Sequence, residues 1–138
     1  MHSSLKPKTN IVLLVVWATL AVVSGAALTP SSMVILGVGA FLGCVVGLVQ
    51  YRAMKLAGPT LIEANSLIQV RKALASSPWG KGYLYLFWSS VVVLLALGLW
   101  KFEKEILLVF LAGYSALALM RELVTLPAVF SLRSLVAR

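Results

Sequence analysis

Residues 33–55 read MVILGVGAFLGCVVGLVQYRAMK, and the fold class predicted for the chain starts from this segment. From Met33 to Tyr51 it carries no charge, and Arg52 and Lys55 then close the run. An α-helix of that length reaches roughly 28 Å, about the thickness of the hydrocarbon core of a bilayer. The stretch therefore predicts a transmembrane helix.

Three glycines, Gly39, Gly43 and Gly47, recur at every fourth position of this helix and so lie on one side of it, which we call the glycine face. Glycine weakens a helix in water, but within lipid it lets another backbone approach closely, and packing then replaces the missing hydrophobic drive. We interpret the glycine face as buried against another helix, from this chain or from a neighbour. A lipid-facing span that is merely rich in glycine is the alternative.

The rest of the chain repeats the pattern. Of its 138 residues 61% are hydrophobic and the mean hydropathy is +1.00, whereas soluble domains are about 45–50% apolar. Apolar runs predict spans at about 10–28, 33–51, 83–100 and 105–122. Short polar turns join the first two and the last two. We therefore predict an all-α membrane protein in which residues 1–138 form one polytopic domain of two antiparallel hairpins.

The first apolar run has a second interpretation. Lys6 and Lys8 precede it and Ser24-Gly25-Ala26-Ala27 lies near its end, an order also found in cleaved signal peptides. The apolar stretch from Ile11 to Leu28 is longer than the usual 7–15 residues of a signal core, so we interpret it as a retained span.

The connector between spans two and three contains TLIEANSLIQVRKALA, residues 60–75, for which we predict one amphipathic helix. It would lie on the cytoplasmic membrane surface or, alternatively, dock a soluble partner. The residues assigned to this surface are Leu61, Leu67, Ile68, Arg71 and Lys72.

Charge predicts the orientation. Lys and Arg total 12 against four Glu and no Asp, a net charge of +8. The basic residues flank apolar runs, which indicates contact with anionic headgroups rather than with nucleic acid. The N-terminus holds two of them, the connector five and the tail beyond Glu122 two, against two in the turn at 101–105. Both termini and the connector are therefore predicted to face the cytoplasm, in a bacterial inner membrane.

Arg121 and Glu122 are the candidates for an ionisable site inside the membrane. They lie roughly 24 Å of helix beyond Glu105, near the inner headgroups. Because adjacent helical side chains point about 100° apart, we expect no salt bridge between the two. A proton or cation relay through Glu122 is the alternative to interfacial pairing. The pairing partners predicted for Glu122 are Arg52, Lys55 and Arg133.

Residue types limit the chemistry. His2 is the only histidine, Cys44 the only cysteine, and aspartate is absent. This composition excludes a Ser/His/Asp triad, an internal disulfide and an ordinary zinc or di-iron site. We predict no enzyme activity, no metal and no cofactor.

Two stretches carry a resemblance to a known family: Leu42-Gly43 through Tyr51-Arg52, and Ser77-Pro78-Trp79-Gly80-Lys81. With the four-span layout and the basic connector, they make the chain resemble the ATP synthase subunit I family. The resemblance implies a non-catalytic role in assembling the rotor ring of a bacterial ATP synthase, with divalent-cation transport as a further role.

Three functions follow as expectations. The first is an accessory or assembly subunit of a larger inner-membrane complex, whose partners are other membrane subunits. The second is a small homo-oligomeric ion or solute transporter or channel, in which the glycine face joins the copies. The third is a membrane scaffold that recruits a soluble partner through residues 60–75.

Overall fold

The computed structural model describes residues 7–101 and 105–137, with side chains from 8 to 101 and from 105 to 132. These residues form helices and no strand. The helices in chain order are α1 (Pro7–Ala27), a 3-10 turn (Pro30–Met33), α2 (Val34–Leu56), α3 (Gly58–Glu63), α4 (Leu67–Leu74), α5 (Pro78–Lys101) and α6 (Ile106–Ala137).

Four of these helices are long and apolar enough to cross a membrane, which confirms the predicted number. The qualifying segments are Lys8–Ala27, Pro30–Leu56, Pro78–Lys101 and Ile106–Leu132. Two helices extend well beyond the apolar runs, since α2 continues to Leu56 and α6 passes through Pro127 to Ala137. A helix continues past its apolar run because backbone hydrogen bonds do not depend on side-chain polarity.

Helix α6 is the centre of the bundle. Its most extensive contact is with α2, and α1 and α5 also pack on it, while α1 makes its main contact with α6 and not with α2. The predicted packing of α1 and α2 against each other as a hairpin is therefore not confirmed. A short link keeps two helix ends near each other, but the packing partner is the helix that permits the closest backbone approach.

Two apolar cores fill the interior. The first lies among the spans and contains Leu28, Ile35, Leu94, Val109, Ala112 and Leu117. The second lies where α2 ends and α5 begins, which we call the connector end, as distinct from the turn end, where α1 joins α2 and α6 begins. This second core consists of Ala53, Met54, Ala57, Leu61, Ala64, Val70, Ala73, Leu74, Ala128, Val129 and Leu132.

The predicted single helix over residues 60–75 is wrong, because the chain breaks between α3 and α4. Ser66 caps α4, its Oγ accepting from the backbone N of Gln69 at 3.3 Å. The Gln69 Oε1 in turn accepts from the backbone N of Asn65 at 2.8 Å. This reciprocal pair resembles a capping box, whose S-x-x-Q signature is present at residues 66–69.

The break also changes which residues face outward. Leu61, assigned from the sequence to an exposed surface, is fully buried in the connector-end core. Leu61 of α3 and Val70, Ala73 and Leu74 of α4 lie in one core with residues of α6. Leu67 and Ile68, which follow the turn at 64–66, are exposed.

Candidate functional site

The glycine face of α2 lies directly on α6. A Cβ at Gly39 would collide with the carbonyl oxygen of Gly113, and one at Gly43 with the carbonyl oxygen of Leu117. At Gly47 it would lie 2.9 Å from Val124 Cβ. The two helices thus stay in close contact over about two turns, from Gly39 to Gly47.

The partner of the glycine face is therefore a helix of the same chain. Gly39, Gly43 and Gly47 are all buried. The homo-oligomer expectation used this face as the contact between copies, and that part of it is wrong, because α6 already covers the glycines.

At the connector end, four helices enclose a polar cavity of about 370 Å³. Its polar lining residues are Asn10 of α1, Gln50 of α2, Arg71 of α4, and Arg121, Glu122 and Thr125 of α6. Its apolar walls are Leu13, Met54, Leu67, Val70, Leu74 and Val129. Of the predicted site residues, the cavity brings together Arg71, Arg121, Glu122 and Leu67.

Glu122 pairs with its neighbour in sequence. Its Oε1 lies 3.4 Å from Arg121 Nη2, and only 7% of the residue is exposed. The expectation that adjacent helical residues form no salt bridge is wrong here, because the long arginine side chain can extend back across the angle between the two Cβ directions.

Arg121 is held by α5 as well. Its Nη1 donates to the hydroxyl of Tyr83 at 3.2 Å, and its guanidinium lies 5.3 Å from the ring centroid of Phe87. A cation over an aromatic face is attracted by the ring quadrupole. Arg121 therefore links α5 to the Glu122 side of α6.

The predicted partners of Glu122 on α2 are wrong. The Arg52 guanidinium lies 5.1 Å from the ring centroid of Trp79, and Lys55 Nζ lies 4.8 Å from that of Tyr51. Both cations thus pack on aromatic rings at the outside of the bundle. The side chain of Arg133 lies outside the described side chains.

The polar cavity includes residues that sequence reasoning missed. Asn10 and Thr125 are buried, and the Thr125 hydroxyl donates to the carbonyl oxygen of Arg121 at 2.9 Å. Among the described residues, none donates a hydrogen bond to the buried Oε1 of Gln50. A usable signal was present, because Asn10 and Gln50 are the polar residues that begin and end two apolar runs.

The remaining α4 residues of the prediction lie apart from the cavity. Ile68 is 67% exposed, and Lys72 lines a shallow surface groove beside Glu63 and Gln69. Of the charged pair at the end of α4, only Arg71 reaches the polar cavity.

A second polar cluster lies at the turn end, and the sequence did not indicate it. Ser32 Oγ donates to Glu105 Oε2 at 2.9 Å, and Thr29 Oγ1 lies 2.8 Å from Ser32 Oγ. Ser32 is buried. The cluster ties the turn between α1 and α2 to the start of α6.

The splay of α1 from α2 opens an apolar groove of about 430 Å³, with α6 as its floor. Most of its lining residues are small or flexible: Ala18, Ala21, Val22, Gly25, Ala26, Met33, Leu36, Ala40, Ala116, Leu119 and Met120. The groove lies within the span segments, at the level of the hydrocarbon in a four-span arrangement.

No group of three His, Cys, Asp or Glu side chains that could hold a metal ion occurs in the parts of the chain that the structure describes. The chain matches no protein-family model, no curated protein and no solved structure. The polar cavity and the apolar groove are the two candidate functional sites of the described chain.

Proposed function

We propose that this protein is a non-catalytic accessory or assembly subunit of a larger bacterial inner-membrane complex, with both termini and the connector in the cytoplasm. The observation that carries the proposal is the apolar groove between α1 and α2. It is a concave, lipid-level surface in a protein whose glycine face is already covered by α6.

Small residues make the groove suitable for a helix of another subunit. Within lipid, helices associate through van der Waals packing, which improves where alanine and glycine let the backbones come close. Ala18, Ala21 and Gly25 follow one another along the α1 wall at helical spacing, and Ala40 and Ala116 face them from α2 and α6. A partner helix would fill the space that acyl chains otherwise occupy.

Two adjacent valines provide a matched test. Val22 lines the groove and is 71% exposed, whereas Val23 is 63% exposed and lies outside it. In cells, Val22→Trp should lower the amount of the assembled complex several-fold on native gels, as deletion of the chain does. Val23→Trp should leave it unchanged. Equal behaviour of the two variants would count against the groove, and a chain that is purified alone from gently solubilised membranes would count against the accessory role.

The resemblance to the ATP synthase subunit I family makes the rotor ring the first complex to measure. Deletion of the chain should reduce assembled ring relative to free ring subunit. If the ring is unaffected while another membrane complex is depleted, the accessory role stands and the assignment to ATP synthase fails.

The second candidate is a small ion or solute transporter, which the buried Glu122 in the polar cavity favours. Leu94, Val109 and Leu117 fill the core beyond the cavity, so a conducting path would require several copies. In reconstituted vesicles, Glu122→Gln should abolish flux while Glu105→Gln, at the turn end, should not. Flux that is indifferent to Glu122→Gln would remove this candidate.

The scaffold alternative now depends on α4, where Leu67, Ile68, Arg71 and Lys72 are exposed, because Leu61 of α3 is buried. Ile68→Asp should release a soluble partner from the membrane if α4 recruits one. Binding unchanged by this substitution would dispose of the scaffold.

A further inference from the structure

We propose that the polar cavity is a binding site for a phosphoethanolamine group, as carried by the headgroup of an aminophospholipid. Nothing in the accessory role requires such a site, so the two proposals stand or fall separately. The inference starts from the residues that α1, α2, α4 and α6 bring to one cavity.

The position of the cavity suits a lipid headgroup. Asn10 lies where the apolar part of α1 begins, Gln50 where the uncharged run of α2 ends, and Glu122 near the end of the apolar part of α6. These three levels coincide at the boundary between hydrocarbon and headgroups in a four-span arrangement. The apolar walls, Met54 and Val129 among them, offer contact to the part of a lipid next to its headgroup.

The inner lining of the cavity offers hydrogen-bond acceptors. Glu122 contributes a carboxylate whose contact with Arg121 is long, at 3.4 Å, and Arg121 also donates to Tyr83. Gln50 contributes an amide oxygen that is buried and accepts no hydrogen bond from the described residues. Because the terminal torsion of the Gln50 side chain is broad, we expect a bound donor in the cavity to draw that oxygen toward it. A primary ammonium, with three N–H donors, satisfies both groups.

The rim supplies the opposite charge. Arg71 lines the same cavity from the last turn of α4 and is itself exposed. A guanidinium presents two parallel N–H donors to phosphate oxygens. The acceptors lie inside, where Arg121 is held by Tyr83 and Glu122, and a second guanidinium lies at the rim. This arrangement matches a ligand with an ammonium at one end and a phosphate beside it. Phosphocholine lacks the N–H donors, and phosphoglycerol lacks the cation.

The first experiment measures lipid retention by the full chain. Native mass spectrometry after exchange into equal amounts of phosphatidylethanolamine, phosphatidylcholine and phosphatidylglycerol should show about tenfold preference for the ethanolamine lipid, the effect of one hydrogen bond to a charged group. Glu122→Gln should remove the preference, and Glu105→Gln, a carboxyl at the turn end, should retain it. Equal retention of the three lipids, or equal behaviour of the two variants, would overturn the proposal.

The second experiment uses substitutions at exposed positions, which are not expected to disturb folding. Arg71→Gln removes the rim cation, and Lys81→Gln removes an exposed cation that does not line the cavity. We expect the first variant to lose roughly tenfold in retention of ethanolamine lipid and the second to behave as the original chain. Indifference to Arg71→Gln would show that the phosphate is not held at this rim, contrary to the proposal.

Gln50→Met tests whether the buried Gln50 oxygen binds a ligand or is simply left without a hydrogen-bond donor. In phosphatidylcholine discs the substitution should raise the unfolding temperature, because a buried acceptor without a donor is removed. In phosphatidylethanolamine discs the same substitution should lower the unfolding temperature, because a ligand contact is lost. A rise in both lipids would overturn the proposal.

The source of the group is tested last. Water-soluble phosphoethanolamine added to the chain in phosphatidylcholine discs should give a smaller rise in unfolding temperature than phosphatidylethanolamine discs give. If only the soluble compound raises the unfolding temperature, and the rise depends on Glu122, the site recognises phosphoethanolamine. That result would overturn the proposal that a lipid carries the group. No rise from either compound would overturn both.

Discussion

Gly43 of α2 lies against the peptide carbonyl of Leu117 on α6 so closely that a single added methyl group would collide with it. The same relationship recurs one turn away, between Gly39 and Gly113. These contacts place α6 at the centre of the bundle and leave α1 to pack on α6 and diverge from α2.

Gly43→Ala should therefore destabilise the folded chain by about 1–3 kcal/mol, the usual cost of overpacking a well-packed contact. Gly37→Ala is the matched control, since a Cβ there meets nothing within 4 Å. Thermal unfolding in one detergent measures both. If the two variants unfold at the same temperature, the close approach of α2 to α6 is wrong.

Tyr83→Phe should cost about 0.5–1.5 kcal/mol, because it removes the hydroxyl that accepts from Arg121 Nη1. Tyr85→Phe, two residues along the same helix and 78% exposed, should be neutral. The comparison requires only the unfolding temperatures of the two variants. A neutral Tyr83→Phe would show that Arg121 does not depend on α5.

Ser32→Ala should destabilise the turn end by about 1–2 kcal/mol, because it removes the hydroxyl that donates to Glu105. Ser31→Ala changes an exposed neighbour and should have little effect. Proteolysis of the α1–α2 turn under native conditions reports local opening. Equal cleavage of the two variants would contradict the role of this cluster.

The orientation can be tested with single cysteines in a Cys44→Ala background. A membrane-impermeant maleimide added to intact cells should label Ser31→Cys at the turn end and leave Asn65→Cys in the connector unlabelled until the cells are opened. Both positions are exposed. The reverse labelling pattern would show the opposite orientation and would contradict the proposed functions that place the connector in the cytoplasm.

The membrane class and the four spans follow from the sequence alone, because length and hydropathy are sums over neighbouring residues. The glycine spacing likewise predicts a face for close packing, since helical periodicity places Gly39, Gly43 and Gly47 together. The helix cap at Ser66 has an S-x-x-Q signature in the sequence, at residues 66–69. The apolar residues on both sides of it nevertheless favour one helix over residues 60–75 rather than the two that form.

Which helix faces meet is known only from the packing of the folded chain. The sequence could not indicate that α6 covers the glycines, that Arg121 turns back to Glu122, or that Asn10, Gln50 and Arg71 line one cavity. These relationships depend on the separation and rotation of whole helices, to which residues far apart in the chain contribute. A membrane span can be recognised from one segment of sequence. The polar cavity depends on how four helices pack together, which no single segment specifies.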